Sequence, residues 1–242
     1  MSKGCLCRLK VFVEVKNPDY GRLNAESFPL YATALGKRHA ELDGIIRRWG
    51  MPEFWSRRPG IDSLFLIILQ QQISVVAARA IYRRVSNALG GVSARRIYHA
   101  GPERLRTLGL TRQKARYCFE LAHAVVERRF SVGGLQRLSD ADAISALCAQ
   151  SGIGPWTAAI YLMSALKRLD VWSPGDLALR RGIADILPGR DVVDLADSGE
   201  RWAPYRAVAA RLVWHHYRCS RGEESAELGK VLGQPNLKAD TG

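Results

Sequence analysis

Two stretches of this sequence set ligand-gripping or reactive groups at defined spacing: S-G-I-G-P-W-T-A, Ser151 to Ala158, and W-S-P-G-D, Trp172 to Asp176. Gly152 and Gly154 flank Ile153 between two segments of helical periodicity. The spacing predicts a hairpin too tight for side chains at both glycine positions, with Ile153 turned back to pin the helices. Amides at the start of the second helix have no carbonyl partner within it, and they point outward with the positive end of the helix dipole. A phosphate fits there, gripped without any reading of bases. The same pattern also occurs in ordinary helical hairpins that only turn the chain. Asp176 falls at the beginning of the next helix, where the pattern makes Ser173 the N-cap, Pro174 N1, Gly175 N2 and Asp176 N3. An acid at N3 serves the cap and the dipole, although Asp reaches back less easily than the usual Glu or Gln.

A formal charge of +13, from 36 Lys+Arg against 23 Asp+Glu, points to a polyanionic partner, either nucleic acid or an anionic membrane surface. No apolar run approaches the roughly 20 residues of a membrane span, since the longest, Leu64 to Leu69, ends at three glutamines. The N-terminus has no apolar core of signal-peptide length, which predicts a protein that stays inside the cell. Five cysteines, at 5, 7, 118, 148 and 219, have neither disulfide-framework nor zinc or iron–sulfur spacing, so no metal site is expected.

The elements that position these groups read as helices. Apolar residues recur at spacings of three and four over 38–49, 62–88, 93–98, 102–107, 111–128, 140–149, 156–168, 177–186 and 203–217. Residues 5 to 15 alternate instead, as in a short strand or an extended tail, and residues 1–37 read as an N-terminal extension. The chain beyond 218 is polar and predicted to be flexible. The fold class is all-α.

G-I-G-P-W-T-A followed by V-W-S-P-G-D resembles the helix–hairpin–helix DNA glycosylase superfamily, whose signature is a hairpin and a Gly/Pro…Asp segment. I-L-Q-Q-Q-I-S-V-V-A-A-R-A-I (68–81), L-G-L-T-R-Q-K-A-R-Y (108–117) and R-W-A-P-Y-R-A-V-A-A-R-L-V-W (201–214) are similar to segments of its bacterial 3-methyladenine DNA glycosylase II branch. The resemblance implies two helical lobes, 60–170 with the hairpin and 38–59 plus 171–218, around a central cleft that receives a base flipped out of duplex DNA. It implies that Asp176 is the catalytic carboxylate, stabilising positive charge on the deoxyribose as the N-glycosidic bond breaks or orienting the attacking water.

In lyase-competent branches a Lys stands where this sequence has Trp156, so the resemblance implies a monofunctional enzyme that leaves an abasic site. Trp156, with Ile160 or its neighbour Tyr161, is implied to line the lesion pocket; a Trp in a buried helix is equally a core residue. Gln71, Gln72 or Ile73 is implied as the wedge that fills the gap in the duplex, or else these residues form a solvated bend. Gly152, Ile153, Gly154 and Thr157 are implied to meet the DNA backbone, while Arg112 and Lys114 are candidate phosphate contacts or parts of a solvated basic face. The implied partner is damaged double-stranded DNA, met by a monomer without cofactor, with a monovalent cation conceivable at the hairpin. Two alternatives stay open: another lesion, such as uracil, hypoxanthine or an oxidised purine, and a DNA-binding module without activity.

Overall fold

The computed structural model describes residues 22–173, 175–188 and 199–222, and these are helical. Ten α-helices follow in order: α1 Ser27–Gly36, α2 Ala40–Trp49, α3 Ile61–Gln70, α4 Val75–Leu89, α5 Ala94–Thr107, α6 Arg112–Val126, α7 Asp140–Cys148, α8 Pro155–Ser164, α9 Leu177–Ile186 and α10 Arg206–Cys219. Short 3-10 turns at Gly133–Arg137 and Glu200–Trp202 join them. Among the described residues the one β contact is an isolated bridge between Arg22 and Arg168. The alternating residues 5 to 15 and the chain beyond 222 lie outside the described residues.

Side-chain caps start many of these helices. The hydroxyls of Ser74, Ser93, Thr111 and Ser139 each accept the N–H three residues on, and so fix the starts of α4, α5, α6 and α7. The segment 62–88, continuous in its periodicity, is broken at Gln71–Ser74: Gln71 is extended, Gln72 has a φ of +58°, and Ser74 caps α4. Conversely, 93–98 and 102–107 run together as α5, bent at Gly101 with a φ of +70°.

Three helices are apolar nearly all round and form the interior: α3, buried from Ser63 to Leu69, α8, buried from Thr157 to Ser164, and α10, buried from Ala207 to His216. Helices α3 to α8 pack on one another, α9 and α2 pack on α10, and a single apolar core runs through both groups. One expectation is corrected here. The N-terminal extension ends before Leu23, because Phe28, Ala32 and Leu35 form the buried face of α1, which packs on α2 and α10. That 28, 32, 35 spacing is itself helical. At the other end α10 runs on to Cys219, and Arg221 covers the Tyr217 ring at 3.8 Å.

The approach of α9 to α10 matters for function, because α9 begins at Asp176. Gly182 permits it: a Cβ there would lie 2.7 Å from Val213 Cγ1 and 3.0 Å from the Val213 carbonyl oxygen. In an open helix Gly→Ala stabilises by about 1 kcal/mol. Here Gly182→Ala is expected to destabilise by about 1–3 kcal/mol through overpacking, read as a lower urea midpoint at unchanged m-value.

Candidate active site

Asp176 is the N-cap of α9 rather than its third residue. Its Oδ1 accepts the Leu179 N–H at 2.8 Å and Trp214 Nε1 at 3.1 Å, and its Oδ2 accepts Trp156 Nε1 at 2.7 Å. The reading of Ser173 as N-cap is thereby corrected; Ser173 supplies its carbonyl to the Asp176 N–H at 3.1 Å, and Pro174 lies outside the described residues. The short Asp side chain suits this arrangement because its carboxylate stays beside its own backbone, where an N-cap must be. The cap of α9 and the acceptor of both indoles are thus one group. An ionised carboxylate offers about four lone-pair directions. Three are taken by donors from α8, α9 and α10, and one remains at a side chain only 8% exposed.

The two indoles form walls beside the carboxylate. Trp156 is half-buried and Trp214 buried, and the Trp214 ring meets that of Trp55 at 6.2 Å. Ile160, one turn after Trp156, shares its face and is 8% exposed. Tyr161 does not belong to this face: it is fully buried, and its hydroxyl accepts the Gly60 N–H at 3.1 Å. Burial pushes its pKa up to about 12. The helical repeat turns residue 161 about 100° from residue 160, toward α3, so Tyr161 is a core residue and not a pocket residue.

At the hairpin the two glycines differ. Gly152 has a φ of +77°, and a Cβ on it would strike the Tyr117 ring at 2.2 Å. Gly154 is extended and exposed, and a Cβ there would meet nothing, so the prediction of a steric need at both positions holds for Gly152 alone. Ile153 is buried as the pin between the helices. The first helical bond of α8 runs from Ala158 N–H to the Gly154 carbonyl, which leaves the amides of Trp156 and Thr157 ahead of it at the helix start.

An open groove of about 840 Å³ runs beside this start, lined by Gln72, Ile73, Arg112, Gln113, Tyr117 and the hairpin residues Ser151 to Gly154. The side chains of three expected DNA contacts are bonded within the protein, although Gln71 and Lys114 also line the groove. Gln71 Nε2 donates to the Gly152 carbonyl and to Thr157 Oγ1, both at 2.9 Å, so Gln71 and the buried Thr157 brace the turn against the hairpin. Lys114 Nζ donates to the carbonyls of Leu69 at 2.7 Å and Gln71 at 2.6 Å, capping the C-terminus of α3, and burial lowers its pKa. Gln72 and Ile73, the latter 38% exposed, are left at the tip.

Three contributors escaped the sequence reading: Trp214, Trp55 and the buried Arg211. A Trp inside an otherwise small-residue buried helix was the available signal, because its N–H needs an acceptor. Leu177, 59% exposed beside Asp176, was equally unannounced. His215 and His216 are buried: burial lowers the pKa of each, and His216 Nδ1 accepts Trp49 Nε1 at 3.1 Å.

Residues 66–192 match the family model described as HhH-GPD superfamily base excision DNA repair protein. The chain is 35% identical over 130 residues to the DNA-3-methyladenine glycosylase of Saccharomyces cerevisiae, a match covering 50% of this chain and 44% of that one. It is 27% identical over 192 residues to DNA-3-methyladenine glycosylase 2 of Escherichia coli, covering 72% of this chain and 65% of that one. It therefore spans less than two thirds of either relative. In structure it is similar to a DNA-3-methyladenine glycosidase from Bacillus halodurans, with a TM-score of 0.70, 30% identity, and 81% and 92% of the two chains covered. It is also similar to the Schizosaccharomyces pombe 3-methyladenine DNA glycosylase in complex with abasic DNA, with a TM-score of 0.66, 25% identity, and 76% and 95% covered.

The bonding at Asp176 predicts the order of two variants. In Asp176→Asn the amide oxygen keeps Leu179 and Trp214, while the amide nitrogen faces the Trp156 donor; in Asp176→Ala all three donors lose their acceptor. Both are expected to fold, with Asn destabilising by about 1–3 kcal/mol and Ala by more. Denaturant unfolding followed by circular dichroism checks the ranking.

Proposed function

The chain belongs to the HhH-GPD superfamily of base excision DNA repair proteins, and on that premise we propose that it hydrolyses the N-glycosidic bond of damaged, alkylated purines in duplex DNA. The observation that carries this reading is a carboxylate held by two indole N–H groups and a helix start, with one lone-pair direction free beside two aromatic walls. A flipped purine lodged against Trp156 and Trp214 brings its C1′ toward Asp176. As the bond breaks, positive charge builds on the sugar, and a carboxylate fixed by three donors stabilises it without reorganising. Water adds to C1′, and the base leaves with the bond's electron pair. The names of the similar proteins support alkylated bases as the lesion class.

The absence of lyase activity is part of the proposal. A strand-cleaving glycosylase needs an amine at the sugar to form a Schiff base. Trp156 occupies the position where the family's lyases carry Lys, and its N–H is already committed to Asp176. No step calls for a cofactor. A monovalent cation at the hairpin would use second lone pairs of the Gln150 and Gly152 carbonyls, each of which already accepts one hydrogen bond. We place the enzyme inside the cell, on chromosomal DNA, as a monomer.

The groove then takes the backbone of the damaged strand, with the Trp156 and Thr157 amides and Arg112 toward phosphate, and Gln72 or Ile73 entering the duplex. Trp156 stands next to that amide start and also touches the carboxylate, so grip and chemistry lie within one helical turn.

On duplexes carrying one alkylated purine, the wild type is expected to release the base and Asp176→Asn to release at least about 100-fold less while still binding the duplex. Release by Asp176→Asn at the wild-type rate would sink the catalytic role. Borohydride should trap no covalent protein–DNA adduct, and strand cleavage without heat or alkali would refute the monofunctional reading. The salt dependence of binding separates the two basic residues of α6. Arg112→Ala should lower the slope of log affinity against log salt by about one. Lys114→Met should leave that slope unchanged and instead lower stability by about 1–3 kcal/mol.

A further inference from the structure

Arg211 is buried one turn before Trp214 on α10, and its guanidinium meets no carboxylate among the described residues. Nη1 donates to the Trp55 carbonyl and Nη2 to the Met163 carbonyl, both at 2.9 Å, and Nε has no partner. Its Cζ lies 4.7 Å from the Phe54 ring centroid and 4.5 Å from that of Trp55. Burial lowers its pKa to about 9, so the group remains cationic at neutral pH. An interior cation with only carbonyls and aromatic faces for company is destabilising, and a leucine or methionine would fill the same space at less cost. Its position suggests what the charge does. The Trp55 ring that it covers meets the Trp214 ring, and Trp214 holds Asp176. The charge therefore stands behind the aromatic wall, on the order of 10 Å from a base lodged there, close enough to act across a low-dielectric interior.

We propose that Arg211 is a specificity-determining residue whose fixed charge favours excision of neutral damaged purines over cationic ones; this rests on the glycosylase reading above. The two leaving groups differ in charge. A neutral base such as hypoxanthine takes the C1′–N electron pair and becomes anionic as the bond breaks, then takes up one proton of the water whose hydroxyl adds to C1′. A positive field behind the base stabilises that developing charge. A 7-methylguanine base is cationic while attached and leaves neutral, and the water's proton passes to solvent. The same field opposes the binding of that cation, and the electron pair that moves onto the base as it departs recovers only part of this cost by the transition state. Arg211 touches neither base nor sugar, and it acts through Trp55 and Trp214.

The test compares kcat/KM on duplexes carrying a single hypoxanthine or a single 7-methylguanine, two 6-oxopurines of similar shape. Arg211→Gln is expected to lower the hypoxanthine-to-7-methylguanine ratio by roughly tenfold or more, as the one unit of charge by which the two bases differ would give at that distance. The change should appear as a lower kcat for both bases and a lower KM for 7-methylguanine alone. Arg211→Lys, which keeps the charge, should retain the wild-type ratio even where altered packing lowers both rates. A purely structural role would move both lesions together, and an unchanged ratio in Arg211→Gln, or an equal fall in Arg211→Lys, overturns the proposal. Should Arg211→Gln fail to fold by circular dichroism, Arg211→Met, which removes the charge and keeps the apolar stem, takes its place with the same expected fall in the ratio, and an unchanged ratio there overturns the proposal. Release of neither base nor of 3-methyladenine by the wild type defeats the glycosylase reading and this inference with it, whereas release of 3-methyladenine alone, or of both bases with an unmoved ratio, defeats this inference alone.

Discussion

Three N–H groups from three helices converge on the Asp176 carboxylate, and burying that carboxylate is the constraint on which the arrangement around it depends. A carboxylate only 8% exposed is tolerated when most of its acceptor capacity is met by donors fixed in the core. Each donor fixes something. The Leu179 amide fixes where α9 starts, the Trp156 indole sets how α8 lies against that start, and the Trp214 indole ties α10 to both. Close packing of α9 on α10 at Gly182 and the apolar surfaces of α8 and α10 are conditions for this convergence.

A second set of polar contacts governs the neighbouring groove. Lys114 and Gln71 hold the Gln71–Ser74 turn from opposite sides, one from α6 and the other toward the hairpin. With both side chains committed inward, the turn presents a braced backbone and two outward residues, Gln72 and Ile73. Charge-assisted bonds from the half-buried Lys114 to two carbonyls stiffen that tip. Bracing residues and outward residues alternate along the same short stretch.

Much of this was legible in the sequence. The helical periods, the pinning role of Ile153 and the place of Asp176 at a helix start follow from local pattern, because local hydrogen bonds and one-sided burial leave a short-range signature. Even the folded status of residues 23–36 was written in the spacing of Phe28, Ala32 and Leu35. Other side chains have partners that no local pattern announces. Tyr161, Thr157, Gln71 and Lys114 carry side chains suited to ligand contact, and each also bonds a partner 45 to 101 residues distant.

By itself the sequence determined the class of the protein: an all-helical chain, basic, with a glycine hairpin and a carboxylate at the next helix start, resembling one superfamily. Only the tertiary structure decided which atoms do what. It made Asp176 the cap of α9, gave it Trp214 from 38 residues downstream, set Ile160 and not Tyr161 on the face of Trp156, and placed Arg211 over the Trp55 ring. The physical reason is that hydrogen bonds and ring contacts between distant segments depend on how buried helices pack, and packing is settled by the whole core, whereas periodicity and caps are settled within a few residues.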